Sequence, residues 1–400
     1  MKKQKKIMML GGNYFQMTAT AAARAQGYHV ISVDYLPDNP AHALAHEYHN
    51  ISTIDKEAVL ALAKELEIDG IVAYASDISA PTAAYVSEQM GLPTNPYDSV
   101  MIMTHKDLFR RFMKENGFPM PAGAGFTDRE EALAFFETLR KPVMVKPIDS
   151  SGSKGVTPVN TREEFLAAWE EALSYSISKH VIVEEFIQKQ GYQIDGDCFV
   201  VDGEIRFWGI CDQHHDMECS PYTPAGLSFP PTQEQQYQDK AREQVQRIFR
   251  LLHMHMGAYN VEYIVGSDGE IYILEIGPRN GGNLIPDTLC FATGVDLAAY
   301  TVRQAVGDDC SDLRQVPASR CCSSYIIHAD RDGIFRGVRF DDAVKDRILK
   351  LGINVREGDR VERFRNGGCG IGAMVLAFDS TEQMCDMVDH MSDYIHVDVE

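Results

Sequence analysis

Two glutamates thirteen residues apart carry the most specific chemical pattern in the sequence. Glu262 and Glu275 stand in the apolar contexts Asn-Val-Glu-Tyr-Ile and Ile-Leu-Glu-Ile, with a Ser-Asp-Gly turn at residues 267–269 between them. This spacing predicts a β-hairpin that brings both carboxylates to one face. Two such carboxylates repel each other unless a cation lies between them, and oxygen ligands select Mg²⁺ or Mn²⁺. The alternative is a solvated hairpin face with both carboxylates in water.

Two basic residues extend this pattern. Arg279 follows Glu275 by four residues in Gly-Pro-Arg-Asn-Gly-Gly, where an arginine can clamp a phosphate or carboxylate and the glycines let backbone approach it. Lys146 lies near the end of the predicted strand 143–147 and precedes the Gly/Ser-rich loop 149–155, whose N–H groups can cover phosphates. Without the carboxylates, such a loop is equally well an ordinary turn.

The elements before these residues alternate between strand and helix. Apolar runs predict strands at 6–10, 28–33 and 70–75, and periodic patterns predict helices at 15–26, 56–66 and 79–90. Such alternation with short connections indicates a parallel sheet with right-handed crossovers, a Rossmann-like domain. A dehydrogenase is therefore an alternative, with Gly11, Gly12 and Asp34 as its dinucleotide site. The turn lacks the second and third glycines of GxGxxG, which disfavours that alternative.

The remaining elements are mixed. We predict helices at 104–116, 163–173 and 233–254, and strands at 143–147 and 181–186. Residues 198–210 are strand-like with a turn at 202–203, and hairpin strands follow at 258–265 and 270–276. A mixed segment from about residue 308 ends in a predicted helix at 381–391.

Composition limits the function further. The 400 residues are 44% hydrophobic and 24% charged, which is typical of a folded chain, and the net charge of −20 disfavours nucleic acid and anionic membranes as partners. The apolar run 7–10 is too short for a signal peptide or a membrane span, and the nine cysteines form no CxxC pair. We therefore expect reduced thiols and a cytoplasmic protein.

The motifs taken together resemble the ATP-grasp superfamily. They are Lys106, Val-Lys146-Pro with Ser-Ser-Gly-Ser-Lys-Gly, Val-Ile-Val-Glu-Glu-Phe186, Asn-Val-Glu262 and Leu-Glu275-Ile-Gly-Pro-Arg279, in this order. The resemblance is to the branch with carboxylate-amine ligases, biotin carboxylase and carbamoyl phosphate synthetase. It implies α/β and α+β architecture: a Rossmann-like domain at 1–104, an ATP-grasp domain at 105–307 with a mobile lid at about 120–185, and a small α+β segment at 308–400 packed on the ATP-grasp domain.

The resemblance also implies roles for individual residues. Lys106 and Lys146 would contact the phosphates of ATP, and Arg279 would stabilise the transferred phosphoryl group, so Lys146 and Arg279 are the catalytic candidates. The lid loop would cover the phosphates with Ser151, Gly152, Ser153 and Gly155. Adenine and ribose would meet Glu184, Glu185, Phe186, Ile187 and Gln193. Mg²⁺ would be held by Glu262 and Glu275. Because Gly277 stands where the family pattern usually has asparagine, a further ligand would be Asn280, with Asn283 or water as alternatives.

The implied activity is an ATP-dependent ligase that joins a small-molecule carboxylate to an amine through an acyl phosphate, releasing ADP and phosphate. The alternatives are a bicarbonate-activating enzyme like biotin carboxylase or carbamoyl phosphate synthetase, and, from another class, a nucleotide-binding module without turnover. A homodimer is implied by resemblance only. Acceptor specificity would come from residues 212–220 and from residues after Arg279, including Asn283. His214 and His215 in the first stretch are either functional or ordinary loop histidines with satisfied hydrogen bonds.

Overall fold

The computed structural model describes residues 4–150 and 152–400, so the predicted site residue Ser151 lies outside the described part of the chain. The amino-terminal region forms a four-stranded sheet in the order β3-β2-β1-β4, and all its strand pairs are parallel, as predicted. Its elements are β1 Lys6–Leu10, α1 Met17–Ala25, β2 His29–Val33, β3 Glu47–His49, α2 Lys56–Leu66, β4 Gly70–Ala73, α3 Ala80–Met90, α4 Tyr97–Thr104 and α5 Lys106–Glu115. Helix α4 was not predicted, because its hydrophobic residues do not follow a helical period.

A second unit spans residues 123–185 and has its own core. Its four strands have the order β5-β8-β6-β7 and are antiparallel. The helices cover this sheet with Phe136, Phe165 and Trp169, which pack on the strand residues Val143 and Val181. The elements are β5 Gly123–Phe126, α6 Arg129–Thr138, β6 Val143–Pro147, β7 Thr157–Val159, α7 Arg162–Tyr175 and β8 Val181–Glu185.

The largest sheet has eight antiparallel strands and carries the predicted hairpin at one edge. Its first five strands in spatial order come from the middle of the chain, in the order β13-β12-β9-β10-β11. This region comprises β9 Gln193–Val201, β10 Glu204–His215, β11 Pro224–Phe229, α8 Gln235–Leu251, β12 Gly257–Val265, β13 Ile271–Gly277, α9 Ile285–Thr293 and α10 Leu297–Ala305. Helix α10 packs on α1 through Val302, Ala19 and Ala23, which joins this region to the amino-terminal sheet.

The carboxy-terminal residues complete the same sheet. Three of their strands continue it in the order β14-β18-β16, and β17-β15-β19 form a small separate sheet. The elements are β14 Cys321–Ile327, β15 Gly333–Phe340, α11 Asp342–Lys345, β16 Ile348–Ile353, β17 Arg360–Val361, β18 Gly372–Phe378, α12 Thr381–Asp389 and β19 Ile395–Val399. The segment therefore shares backbone hydrogen bonds with the middle region. The predicted helix at 381–391 is confirmed as α12, but it is not the last element, because Ile395–Val399 follows it and pairs with β15.

Two further properties concern the whole described chain. All nine cysteines are free thiols, in agreement with the expectation from their spacing. Across residues 4–150 and 152–400, no helix combines the length and the apolar character that crossing a bilayer requires. The predicted domain boundaries and the predicted mobility of the lid at about 120–185 stay predictions.

Candidate active site

The hairpin places the two predicted glutamates directly opposite each other. Glu262 on β12 and Glu275 on β13 are register partners, and Asp195 on β9 is the partner of Glu262 on its other side. Side chains alternate along a strand, so Gln193, Asp195 and Asp197 share the face of β9 that Glu262 and Glu275 also line. The result is a row of acidic side chains across three strands.

The acidic row is only partly neutralised. Lys106 Nζ lies 3.0 Å from Glu275 Oε2, whereas Glu262 accepts a hydrogen bond from the Gln193 amide. Burial raises the pKa of Glu262, and repulsion from Asp195 and Glu275 raises it further. For Lys106, burial lowers the pKa, but the Glu275 carboxylate outweighs this effect and the pKa is raised overall. This surface, lined by Asp195, Asp197, Glu262 and Glu275 and called the glutamate face below, therefore has more carboxylates than cations to neutralise them.

This excess fits a divalent cation that arrives with a nucleotide. Among the described residues, no group of three or more His, Cys, Asp or Glu side chains is arranged to hold a metal ion. Mg²⁺ in phosphate-transfer sites is commonly bound by one or two carboxylates, with the remaining ligands from substrate phosphates and water. Glu262 and Glu275 supply two oxygen-donor side chains of the right chemistry for such a site.

Asn280 has a structural role that the sequence did not predict. It is fully buried, its Nδ2 donates to Asp197 Oδ2 at 3.3 Å, and its Oδ1 accepts from the Thr301 hydroxyl at 2.8 Å. Asp197 also accepts the N–H of Gly281 at 2.8 Å, and burial raises its pKa to about 7. Both ends of the Asn280 amide thus anchor the loop after β13, and its contact with a metal ion stays a prediction.

Glu184 likewise has ion-pair partners that the sequence did not predict. It is 2% exposed and lies between Lys146 Nζ, at 2.6 Å, and Arg110 Nε, at 3.0 Å. Both carboxylate oxygens are bound to cations, and each keeps a further lone pair, so the contact with an adenine amino group stays a prediction. Glu184 also fixes Lys146 at the carboxyl end of β6. Arg110 lies four residues after Lys106 on α5, and that helical spacing was the signal that could have predicted it.

The other predicted adenine residues follow at the end of β8. Glu185 is partly buried and pairs with Arg140, through the Arg140 backbone N–H at 2.9 Å and the guanidinium at 3.2 Å. Phe186 donates its backbone N–H to the carbonyl of Pro142 at 3.1 Å. Phe186 and Ile187 are half-buried and border the junction between β8 and the eight-stranded sheet. Their contact with adenine stays a prediction.

The predicted phosphate loop has the backbone that its composition favours. Gly152, Ser153 and Gly155 have φ values of 71°, 59° and 68°, in the left-handed region where glycine costs least. Lys106 donates to the carbonyl of Ser150 at 3.0 Å, so the loop begins beside the glutamate face. The loop also reaches the carboxy-terminal region, where the Gly367 N–H donates to the Gly152 carbonyl at 2.9 Å.

Arg279 lies at the same end of the hairpin as Gly277. Its Nε donates to Asp77 Oδ1 at 2.7 Å, its Nη2 pairs with Asp77 Oδ2, and its Nη1 donates to Asn260 Oδ1 at 2.9 Å. Sequence reasoning missed Asp77, Asp195 and Asp197. Asp195 and Asp197 alternate in an apolar strand, and Asp77 follows a buried parallel strand, so each had a recognisable position.

The alternative dinucleotide site gains no support from the geometry. A Cβ atom on Gly12 would lie 2.1 Å from the His42 ring, so a side chain already fills the space above that glycine. Asp34 is occupied by its own loop, because it accepts from the Leu36 N–H at 3.0 Å and the Asn39 amide at 2.7 Å.

The two histidines of the predicted acceptor region, His214 and His215, have different surroundings. His214 is buried between Asp389, at 2.6 Å, and Ser228, at 2.8 Å, so both ring nitrogens have partners. Burial lowers the pKa of His215 to about 4, and Lys189 contributes in the same direction. His214 is thus a satisfied structural histidine, and His215 is neutral at pH 7.

Comparison with known proteins agrees with this geometry. Residues 105–313 match the family described as "Carbamoyl-phosphate synthase L chain, ATP binding domain". The chain belongs to this ATP-grasp family. The matched range contains both lysines, both glutamates and Arg279.

Individual relatives cover the chain to different extents. The carbamoyl phosphate synthase large chain of Vibrio cholerae is 26% identical over 322 residues, which are 76% of this chain and only 29% of the relative. The formate-dependent phosphoribosylglycinamide formyltransferase of a Synechococcus species is 27% identical over 344 residues, 82% of each protein. The crystal structure of L-amino acid ligase from Bacillus licheniformis superposes with a TM-score of 0.83 over the full length of both chains at 19% identity, a likeness that shows the mixed α/β fold.

Proposed function

We propose that this ATP-grasp protein is an ATP-dependent carboxylate-amine ligase for small molecules. It transfers the γ-phosphoryl group of ATP to a carboxylate, and an amine then displaces phosphate from the acyl phosphate. The observation that carries the proposal is the pairing of Glu262 with Glu275 across the hairpin, with Lys106 bound to Glu275. The family model supports it, because the model describes an ATP-binding domain over these residues.

Some of these residues would position the reacting groups, and others would neutralise their charge. Phosphoryl transfer needs little covalent help from a protein and depends on electrostatic stabilisation of the phosphoryl oxygens. Lys106 and Lys146 would bind the phosphates, and Glu184 would orient Lys146. Glu262 and Glu275 would hold Mg²⁺, which supplies neutralisation of phosphate charge when bound. Arg279 would donate to the transferred group or to the carboxylate that receives it.

The acyl phosphate must be kept from water. The Gly/Ser-rich loop begins beside the glutamate face, where the Ser150 carbonyl accepts from Lys106 at 3.0 Å. The left-handed residues at 152, 153 and 155 suit a loop that approaches phosphates with backbone N–H groups. Phe186 and Ile187 would contact adenine, and Gln193 the ribose. In this proposal the 123–185 unit closes over the nucleotide, and the substrates enter from the side of Arg279.

The test is turnover of purified protein with Mg-ATP and a panel of carboxylates and amines. Release of ADP and phosphate that requires one carboxylate and one amine is the expected result, whereas AMP and pyrophosphate would overturn the acyl-phosphate route. Glu275→Gln should lower kcat by roughly 100-fold or more, because it removes charge at the reacting phosphates. Glu270→Gln is the matched control, since Glu270 is exposed on the same hairpin.

Bicarbonate activation is the second candidate, favoured by the family's printed description. It predicts ATP hydrolysis that depends on bicarbonate and needs no organic carboxylate. The same assay separates the two, because bicarbonate is one member of the carboxylate panel. A homodimer and a cytoplasmic location stay predictions, and size-exclusion chromatography tests the first.

A further inference from the structure

Arg279 is held by a residue of the amino-terminal region. Asp77 lies on the loop after β4 and binds the Nε and Nη2 edge of the guanidinium, with Nε to Oδ1 at 2.7 Å. The two side chains are 15% and 11% exposed, so the ion pair is largely removed from water. Two parallel N–H to oxygen contacts fix both the position and the plane of a guanidinium.

The hairpin leaves room for this pair through Gly277. A Cβ atom on Gly277 would lie 2.6 Å from Asp77 Oδ1 and 3.0 Å from Arg279 Cζ. Neither separation is tolerated without movement of the carboxylate or the guanidinium. Gly277 is the last residue of β13 and pairs with Asn260, so the strand itself does not require glycine there. Glycine at position 277 is thus explained locally, because Asp77 occupies the space that a side chain there would need.

The loop that carries Asp77 is itself firmly fixed. Ala75 has φ of 52°, a left-handed conformation that is strained for alanine. Ser79 Oγ lies 2.8 Å from Ser76 Oγ and donates to Thr53 Oγ1 at 3.0 Å. The loop also follows the carboxyl end of a parallel strand, where open α/β sheets usually place functional groups.

The remaining donors of Arg279 are then limited. Nε and one Nη2 proton face Asp77, and Nη1 donates to Asn260 at 2.9 Å and to the carbonyl of Asn280 at 3.1 Å. Of the five N–H groups of a guanidinium, one on Nη2 is left. Arg279 thus offers a single, oriented donor rather than the bidentate clamp predicted from sequence.

We propose that Asp77 is a positioning residue for Arg279 and that Gly277 is required to admit it. This inference rests on the proposed function, since it assigns the oriented Nη2 proton to the transferred phosphoryl group. The amino-terminal region thereby contributes to the reaction without touching the nucleotide. Asp77 acts on the reaction step through Arg279, so its loss should lower kcat and leave the KM for ATP nearly unchanged.

Two variants test the pair from opposite sides. Asp77→Asn keeps the shape of the side chain but places an amide donor against Nη2, and Gly277→Ala introduces the clashing Cβ. Each should lower kcat by roughly 10- to 100-fold, with the KM for ATP changed less than about threefold. The double variant should resemble the more impaired single variant, because both changes break one interaction. Asp38→Asn, on an exposed loop of the same region, should keep wild-type kcat.

A measurement without turnover separates this inference from the proposed function. The side-chain Nε–H of Arg279, identified in ¹⁵N NMR spectra by its loss in Arg279→Lys, should exchange slowly with water in the wild type. It should exchange rapidly in both Asp77→Asn and Gly277→Ala. If the wild type lacks turnover, the proposed function fails, and unchanged exchange in both variants still overturns the positioning role. Wild-type kcat in both variants would overturn the positioning role and leave the ligase proposal intact. Losses of kcat that multiply in the double variant would also contradict the positioning role.

Discussion

Replacement of Glu184 by glutamine tests the ion pairs beneath the proposed phosphate site. Glu184 is buried and binds Lys146 at 2.6 Å and Arg110 at 3.0 Å. Burial by itself would raise the pKa of Glu184, but the charges of Arg110 and Lys146 hold it well below the usual range. Glu184→Gln keeps the size of the side chain and leaves two cations without their counter-ion.

The expected loss of stability is large and depends on pH. Removal of one partner from a buried ion pair costs about 3–5 kcal/mol. With about 2.1 cal/mol/K of unfolding entropy per residue, this lowers the melting temperature by roughly 4–6 °C at pH 7. A carboxyl whose pKa is depressed on folding stabilises the protein above its unfolded pKa of about 4.5 and loses that contribution as pH falls below it. The difference in unfolding free energy between wild type and variant should therefore decrease by about 1.4 kcal/mol for each pH unit below 4.5.

Thermal unfolding at pH 7 and pH 4 measures this effect, and Glu185→Gln is its control. Glu185 is the next residue, but its partner Arg140 is 81% exposed, so the control should lose less than about 1 kcal/mol. Equal losses for the two variants would refute the reasoning that burial makes Glu184 special. A stability difference between wild type and Glu184→Gln that increases toward pH 4 would refute the depressed pKa of Glu184.

Three further changes follow from other parts of the structure. Glu262→Gln should stabilise the metal-free protein at pH 8 by on the order of 2 kcal/mol and have no effect at pH 4, because a carboxyl with a raised pKa costs stability above its unfolded pKa; thermal unfolding in EDTA measures this. Gly12→Ala should destabilise by about 1–3 kcal/mol through contact with His42, and wild-type protein should not quench or enhance NADH fluorescence. His214→Ala should cost about 1–3 kcal/mol because the buried hydroxyl of Ser228 loses its histidine partner, which urea unfolding would show.

The local elements and the hairpin pairing could be predicted because both depend on short stretches of sequence. The helix at 56–66 has the predicted bounds, and Glu262 and Glu275 are register partners as the turn at 267–269 indicated. Binary patterning and turn residues act over a few positions, so a single sequence displays them. The glutamate face was therefore accessible without a structure.

The partners of buried charges could not be predicted, because they come from distant parts of the chain. Asp77 meets Arg279 across 202 residues, and Glu184 meets Arg110 across 74. Local sequence also does not reveal that Asn280 binds Asp197, since the direction of a loop side chain depends on the backbone conformation. Family resemblance assigned Glu184 to adenine, and only the structure shows that it binds Lys146 and Arg110.

The cations of the proposed site are already paired in the nucleotide-free protein. Lys106 is bound to Glu275, Lys146 to Glu184, and Arg279 to Asp77. Metal-free ATP would therefore bring four negative charges to a face whose positive charges are neutralised and whose Glu262 repels phosphate. ATP should bind weakly in EDTA and at least roughly 100-fold more tightly with Mg²⁺, a difference of about 2.7 kcal/mol in binding free energy. Calorimetric titration of ATP with and without Mg²⁺ measures this ratio. Equal affinities would show that the lysines are free to bind phosphate alone, which contradicts the ion pairs from which the site was argued.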